Sequence, residues 1–321
     1  MVGVGVAFLI ALGWSMLAIP LGARLGIVDR PDDSPLNVHE HPAVPLGGIG
    51  VFAAITVGMG ITGDLDVVAM AAAGLLLATG LVDDLVGLRP SLRLAIQFGA
   101  GWWLAAFADL PDGYHTWGGK VVVVLVVVLA VNAVNLFDGL DGLAAVSGIV
   151  SALGIAFLVS ARGGGSTVGM VLAAGLLGFL VLNWPPARVF LGDNGAYVVG
   201  FYLAYGILRA SPGVGWPLVL SLLMLGVFAL DLVATVMRRR VAGARLFSGD
   251  RSHLYDQLRD RGMSVVAIIA SAGVAQALFV VTALLLDRST SVVLQAASLV
   301  GIAAAMFSTL AVGGFLTPDD R

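Results

Sequence analysis

The chain has 321 residues, 59% of them hydrophobic and 12% charged, with a mean hydropathy of +1.00. That balance excludes an ordinary soluble domain and indicates a polytopic membrane protein whose embedded helices are its fold. A formal net charge of −3 gives no reason to expect a nucleic-acid partner, and the absence of cysteine removes disulfides, thiolate chemistry and cysteine-ligated metals.

Apolar runs that span a bilayer, or nearly so, fall at 2–22, 46–62, 67–82, 92–108, 120–136, 143–160, 167–183, 195–210, 216–237, 264–286 and 291–314. They predict an all-α polytopic integral membrane protein of about eleven transmembrane helices, forming one domain over 1–321. The second and third runs are short for a ~30 Å apolar core, which takes about 20 residues when straight. The first run lacks the basic flank of a signal peptide and reads as a membrane helix. Basic residues orient the bundle. With the N-terminus outside and the C-terminus cytoplasmic, only Lys120, Arg162, Arg209 and Arg288 of the 17 Lys and Arg fall outside. The cytoplasmic loops are then 23–45, 83–91, 137–142, 184–194 and 238–263, the last with a short amphipathic helix near His253–Arg261.

The polar residues that carry chemistry lie in or beside those loops. Asp83-Asp84 ends the third run; two adjacent carboxylates at a membrane boundary suit taking a proton or holding Mg²⁺, against the plainer reading of a helix stop. Asn132, Asn135, Asp138 and Asp141 recur every three residues, with Gly139 and Gly142 interleaved, and supply the hard oxygen ligands that Mg²⁺ prefers. Asp193, in Leu-Gly-Asp-Asn-Gly, is either a helix cap or a metal ligand. Arg251 and His253 are candidates for a diphosphate clamp, since arginine presents a planar fork of donors. Arg238-Arg239-Arg240 reads as an anchor meeting anionic lipid. Asp231, inside the ninth run, pairs with one of those arginines or faces the site. His39 and His41 do not complete a zinc set, and Gly47-Gly48 at a helix start would admit a phosphate or sugar.

Together these residues resemble the polyprenyl-phosphate N-acetylhexosamine-1-phosphate transferase superfamily, which includes undecaprenyl-phosphate GlcNAc-1-phosphate transferases and phospho-N-acetylmuramoyl-pentapeptide transferases. The likeness runs from Asp29 to Gly262. Its most specific piece is Asn132-Ala-Val-Asn135-Leu-Phe-Asp138-Gly-Leu-Asp141-Gly-Leu143. Asp83-Asp84 with Leu88 and Gln97, Phe190 to Gly195, Asp29 through His39 to Gly47-Gly48, and Asp250-Arg251-x-His253-Leu254 support it. The resemblance implies a plasma-membrane enzyme that transfers a sugar 1-phosphate, GlcNAc-1-phosphate foremost, from a UDP-N-acetylhexosamine to polyprenyl phosphate and releases UMP. It also implies Mg²⁺, with Mn²⁺ as a substitute, held by Asp193 and Asn135. Asp141 would contact the uracil, Arg251 and His253 the diphosphate, and Asp83 or Asp84 the lipid phosphate. Asn132, Asp138, His39, Gly47 and Gly48 fill out the substrate-binding set, and a homodimer is compatible with it.

Two places depart from the family pattern. Leu36-Asn37 stands where a basic pair is usual, and His253-Leu-Tyr255-Asp256 where His-x-His-His is expected. The missing histidines point away from the pentapeptide branch. Among rival readings, a transporter predicts an internal repeat and polar residues near the bilayer midplane, which this chain lacks or has few of. An isoprenoid-diphosphate prenyl transferase predicts two Asp-rich repeats. A CDP-alcohol phosphotransferase predicts an Asp-Gly-x-x-Ala-Arg start that is absent.

Overall fold

The computed structural model describes residues 1–29, 42–241, 243 and 253–316. Among them the chain is helical, with no strand beyond two isolated bridges, Asp29 to Ala43 and Val44 to Val189. The helices in order are α1 Val2–Leu25, α2 Gly47–Thr62, α3 Val67–Val86, α4 Pro90–Phe107, α5 Trp117–Phe137, α6 Leu143–Ala161, α7 Thr167–Asn183, α8 Gly192–Ala210, α9 Trp216–Ser221, α10 Gly226–Val241, α11 Leu254–Asp260, α12 Val265–Asp287 and α13 Val292–Val312. Every predicted apolar run lies on a helix, and α11 falls on the predicted amphipathic segment.

Among the described residues, seven stretches are long and apolar enough to cross a membrane: α1, α3, α5, α6, the stretch Trp216–Val241 comprising α9 and α10, α12 and α13. The short second run is short in the structure too, since α2 has 16 residues and rises about 24 Å. The third is longer than predicted. Helix α3 continues to Val86 for 20 residues, so Asp83 and Asp84 sit on its last turns rather than in a loop.

The stretch Trp216–Val241 is broken by a 3₁₀ turn at Leu222–Leu225. A break frees backbone groups that an apolar surrounding cannot satisfy. Gln276 of α12, fully buried, meets that need: its Oε1 accepts from the Val227 amide at 3.0 Å and its Nε2 donates to the Met224 carbonyl at 3.0 Å.

Helix α8 is the axis of the bundle. Among its residues from Asn194 to Ala210, Arg209 alone is not buried. It packs on α2, α3, α5 and α6, and small residues let backbones approach closely there. A Cβ at Gly80 of α3 would collide with the backbone of Asp193 and Asn194, and one at Gly48 of α2 with Asn194 and Gly195. At the other extreme, α13 buries only Gln295 and Leu310.

The end of the bundle away from Asp83 is closed by an ion pair. Arg162, in the turn after α6, places Nη2 2.6 Å from Asp287 Oδ1 at the end of α12. Its Nη1 donates to the Ala210 carbonyl at 2.7 Å and to Ser221 Oγ at 3.1 Å. One guanidinium thus joins α6, α8, α9 and α12. Removing one partner of a mostly buried pair strands the other charge, so Arg162→Ala should lower stability by about 3 kcal/mol. Asp287→Ala should cost a similar amount and the double variant little more than either, as read from denaturant unfolding in detergent.

Candidate active site

The site is built on the start of α8. A helix leaves its first amides without intrahelical partners. Here a carboxylate from another helix takes them: Asp84 Oδ1 accepts from the Asp193 amide at 2.9 Å, and Oδ2 from the Asn194 amide at 3.2 Å and from Asn194 Nδ2 at 2.6 Å. The cap is therefore Asp84, and the Asp193 side chain is released from that duty.

Asp83, the other member of the pair, is nearly buried. Its Oδ1 accepts from the Leu88 amide at 2.7 Å, and its Oδ2 from Arg93 Nη1 at 2.7 Å and Tyr197 Oη at 2.9 Å. Arg93 Nη1 also lies 3.6 Å from Asp193 Oδ2. The Asp83 and Asp193 carboxyl groups approach within hydrogen-bonding reach of each other. Two carboxylates so placed need a proton or a cation between them.

The asparagine-aspartate run is split by the end of α5 at Phe137. Asn132 and Asn135 ride on the helix; Asp138 and Asp141 lie in the turn after it. Asn132 Nδ2 donates to Gln97 Oε1 of α4 at 2.5 Å, which engages it in helix pairing. Asn135 and Asp138 are half-buried, and neither side chain has a hydrogen-bond partner among the described residues. The Asp138 carboxyl is held well above the usual carboxylate range, first by burial and then by the charges of Asp193, Asp84 and Asp141. Asp141 Oδ2 accepts from the Ala187 amide at 2.9 Å. Asn183 ties the same two loops: its Oδ1 accepts from the Gly142 amide and its Nδ2 donates to the Val189 carbonyl, both at 2.9 Å.

Three readings of the sequence change here. The amides of Gly47 and Gly48 donate to the carbonyls of Phe190 and Leu191, at 3.0 and 3.2 Å, and both residues are buried against protein. Their smallness serves close helix packing, and neither amide is left for a phosphate. Arg238 and Arg239 are buried, 3% and 6% exposed, so of the three anchor arginines only Arg240 stands exposed to meet lipid. Asp231 pairs with neither arginine: its Oδ2 lies 2.7 Å from His253 Nδ1. His39 and Arg251 fall outside the described residues.

No group of three His, Asp or Glu side chains among the described residues forms a ready-made metal cage. The donor set still fits Mg²⁺, which keeps several waters and takes substrate phosphate oxygens alongside one or two protein carboxylates. Asp84, Asp141 and Asp193 lie close enough to raise the Asp138 carboxyl together, and Arg93 lies beside Asp193.

A model of glycosyl transferase family 4 matches residues 67–211, from the start of α3 to just beyond α8, and so takes in Asp83, Asp84, the 132–141 run and Asp193. Relatives extend the match to most of the chain. A Bacillus subtilis strain 168 protein named "Probable undecaprenyl-phosphate N-acetylglucosaminyl 1-phosphate transferase" is 27% identical over 312 residues, 90% of this chain and 87% of its own. The decaprenyl-phosphate N-acetylglucosaminephosphotransferase of Mycobacterium tuberculosis H37Rv is 29% identical over 302 residues, 78% and 74% of the two chains. The undecaprenyl-phosphate alpha-N-acetylglucosaminyl 1-phosphate transferase of Escherichia coli K12 is 28% identical over 306 residues, 83% and 81%. Residues 67–211 are thus similar to glycosyl transferase family 4, and the relatives carry that similarity over most of the chain.

The sequence alone assigned no role to Arg93, Asn183, Asn194 or Tyr197. One signal was available: Tyr197 follows Asp193 by four residues, which puts both on one helical face. Arg93 and Asn183 act across helices and leave no such local mark.

The elevated Asp138 carboxyl gives a signed expectation. Protons and a divalent cation compete for the carboxylate cluster. As pH rises through the raised Asp138 value the proton leaves, so Mn²⁺ affinity, followed by electron paramagnetic resonance, should strengthen. It should weaken as pH falls, and Asp138→Asn should flatten the dependence.

Proposed function

We propose that the chain transfers a sugar 1-phosphate, GlcNAc-1-phosphate foremost, from a UDP-sugar to polyprenyl phosphate, giving polyprenyl-diphospho-sugar and UMP. The observation that carries this reading is the gathering of Asp84, Asp193, Asp138, Asp141 and Arg93 at one end of a bundle of apolar helices. A lipid phosphate and a soluble nucleotide meet only at such a boundary. The names of the relatives supply the lipid and the sugar.

On this reading eleven helices span the plasma membrane, with the N-terminus outside and the site on the cytoplasmic face. That orientation rests on the distribution of Lys and Arg. Asp193 and Asn135 would hold Mg²⁺, or Mn²⁺ in its place. When bound, the ion would offset the charge of the donor diphosphate and so let a second phosphate approach. The chain's own residues do the remaining work. Asp84 fixes the start of α8 and hence the Asp193 carboxylate. Asp83 fixes Arg93, whose guanidinium supplies positive charge beside Asp193. With three donors on each, Asp83 and Asp84 are better suited to holding these groups than to taking a proton. Asp138, without a hydrogen-bond partner among the described residues, is the carboxylate freest to meet a substrate. Asp141, restrained by the Ala187 amide, would contact the uracil, and Arg251 and His253 the diphosphate.

Attack of a lipid phosphate oxygen on the β-phosphorus forms one P–O bond and breaks the one to the α-phosphate, releasing UMP. Purified protein with polyprenyl phosphate, UDP-GlcNAc and Mg²⁺ should therefore release UMP, and EDTA should stop it. Asp193→Ala should lower that rate about a hundredfold or more while the protein still inserts. Unchanged turnover would remove Asp193 from the metal assignment. Asp141→Lys should raise KM for UDP-GlcNAc and leave KM for the lipid near its starting value; equal effects on both would refute the uracil contact.

A further inference from the structure

The transferase reading leaves the most deeply buried carboxylate, Asp231, without a role. Asp231 of α10 is fully buried, and an ionised carboxylate persists there only with partners. It has two. Oδ2 lies 2.7 Å from His253 Nδ1, and Oδ1 accepts from the Leu254 amide at 2.7 Å. Thr235, one turn along the same face, sets Oγ1 3.3 Å from that ring nitrogen, and Arg238 Nη2 donates to the hydroxyl at 3.0 Å. Asp256 Oδ2 accepts from the His253 amide at 3.3 Å.

The imidazole is held on its face as well. It stacks on Tyr255, ring centroids 5.2 Å apart and planes within 3°. Tyr255 Oη donates to the Leu136 carbonyl at 3.2 Å and packs on Gly139, where a Cβ would collide with it. The ring is thus fastened to the turn that carries Asp138. This is also the use of the Tyr255 and Asp256 departures: one stacks beneath His253, the other holds its backbone.

A carboxylate on Nδ1 fixes a proton there and leaves Nε2 as the working nitrogen. No partner for Nε2 is found among the described residues. We propose that Asp231 is a positioning residue of this site, holding His253 so that Nε2 binds the diphosphate of the nucleotide donor. The identity of that ligand rests on the transferase reading. A phosphate oxygen accepts and does not donate, so Nε2 would meet it as an N–H donor.

The test is a double-mutant cycle on UDP binding in Mg²⁺, measured by titration calorimetry on the full chain, with UMP release measured in parallel. His253→Gln should weaken UDP about tenfold to a hundredfold, the range for a hydrogen bond to a charged group. Asp231→Asn keeps the shape and the Leu254 bond, and should weaken UDP about tenfold with the unfolding midpoint little changed. In the His253→Gln background, Asp231→Asn should add nothing. Full additivity would make Asp231 independent of His253 and overturn the proposal, as would unchanged UDP affinity in Asp231→Asn. If Asp231→Asn does not yield monodisperse protein, Asp231→Glu carries the same cycle with the same two outcomes. Coupling without UMP release would sink only the transferase reading; UMP release without coupling would sink only this one.

Discussion

The start of α8 must find hydrogen-bond acceptors in an apolar bundle, and the rest of the site follows from how it does so. Asp84 reaches across from α3 and takes the amides of Asp193 and Asn194. That reach requires the two helices to touch, and Gly80, one turn before Asp84 on the same face, permits it. Glycine and carboxylate are therefore one device. Because Asp84 is the cap, Asp193 can point elsewhere, toward Arg93 and the carboxyl of Asp83.

The two ends of the bundle handle charge differently. At the far end Arg162 Nε and Nη2 both donate to Asp287, Nη2 also to the Pro217 carbonyl, and Nη1 to the Ala210 carbonyl and the Ser221 hydroxyl. That network is closed and has no room for a ligand's charge. At the near end five carboxylates crowd together, and Asp138 carries the strain of it as a reluctance to ionise. An arrangement with surplus negative charge costs stability unless a cation joins it. Surplus negative charge that a cation would offset is the property expected of a site and not of a brace.

Much of this was legible in the sequence, for reasons that differ by residue. Apolar runs gave the helices because burial in lipid demands them. The 132–141 run, Asp83-Asp84 and Asp193 stood out because polar side chains are rare in so apolar a chain. The division of labour within Asp83-Asp84 was not legible, since it depends on which helix each carboxylate faces. Nor was the use of Gly47 and Gly48: a glycine reads alike whether it admits a ligand or a neighbouring backbone. Arg238 looked like a lipid anchor because charge runs after a span usually are; its burial comes from the fold-back of later chain onto α10, which no local pattern announces. Asp231 was read as needing a partner, and the partner proved to lie 22 residues away across the 242–252 segment.

The residues just after α13 reach back to this side of the molecule. The Phe315 carbonyl accepts from Arg238 Nη1 and from Gln257 Nε2, each at 3.3 Å, and the Arg261 guanidinium sits 3.9 Å over the Phe315 ring. Arg238 in turn holds Thr235, which touches His253. Helix α13 itself adds little to the packed interior, so its worth lies in where it delivers the chain. Because α13 follows α10 and α11 in the chain, the His253 wall of the site gains the Phe315 acceptor only after α13 has been made, and the order of translation is written into the order in which that wall is braced.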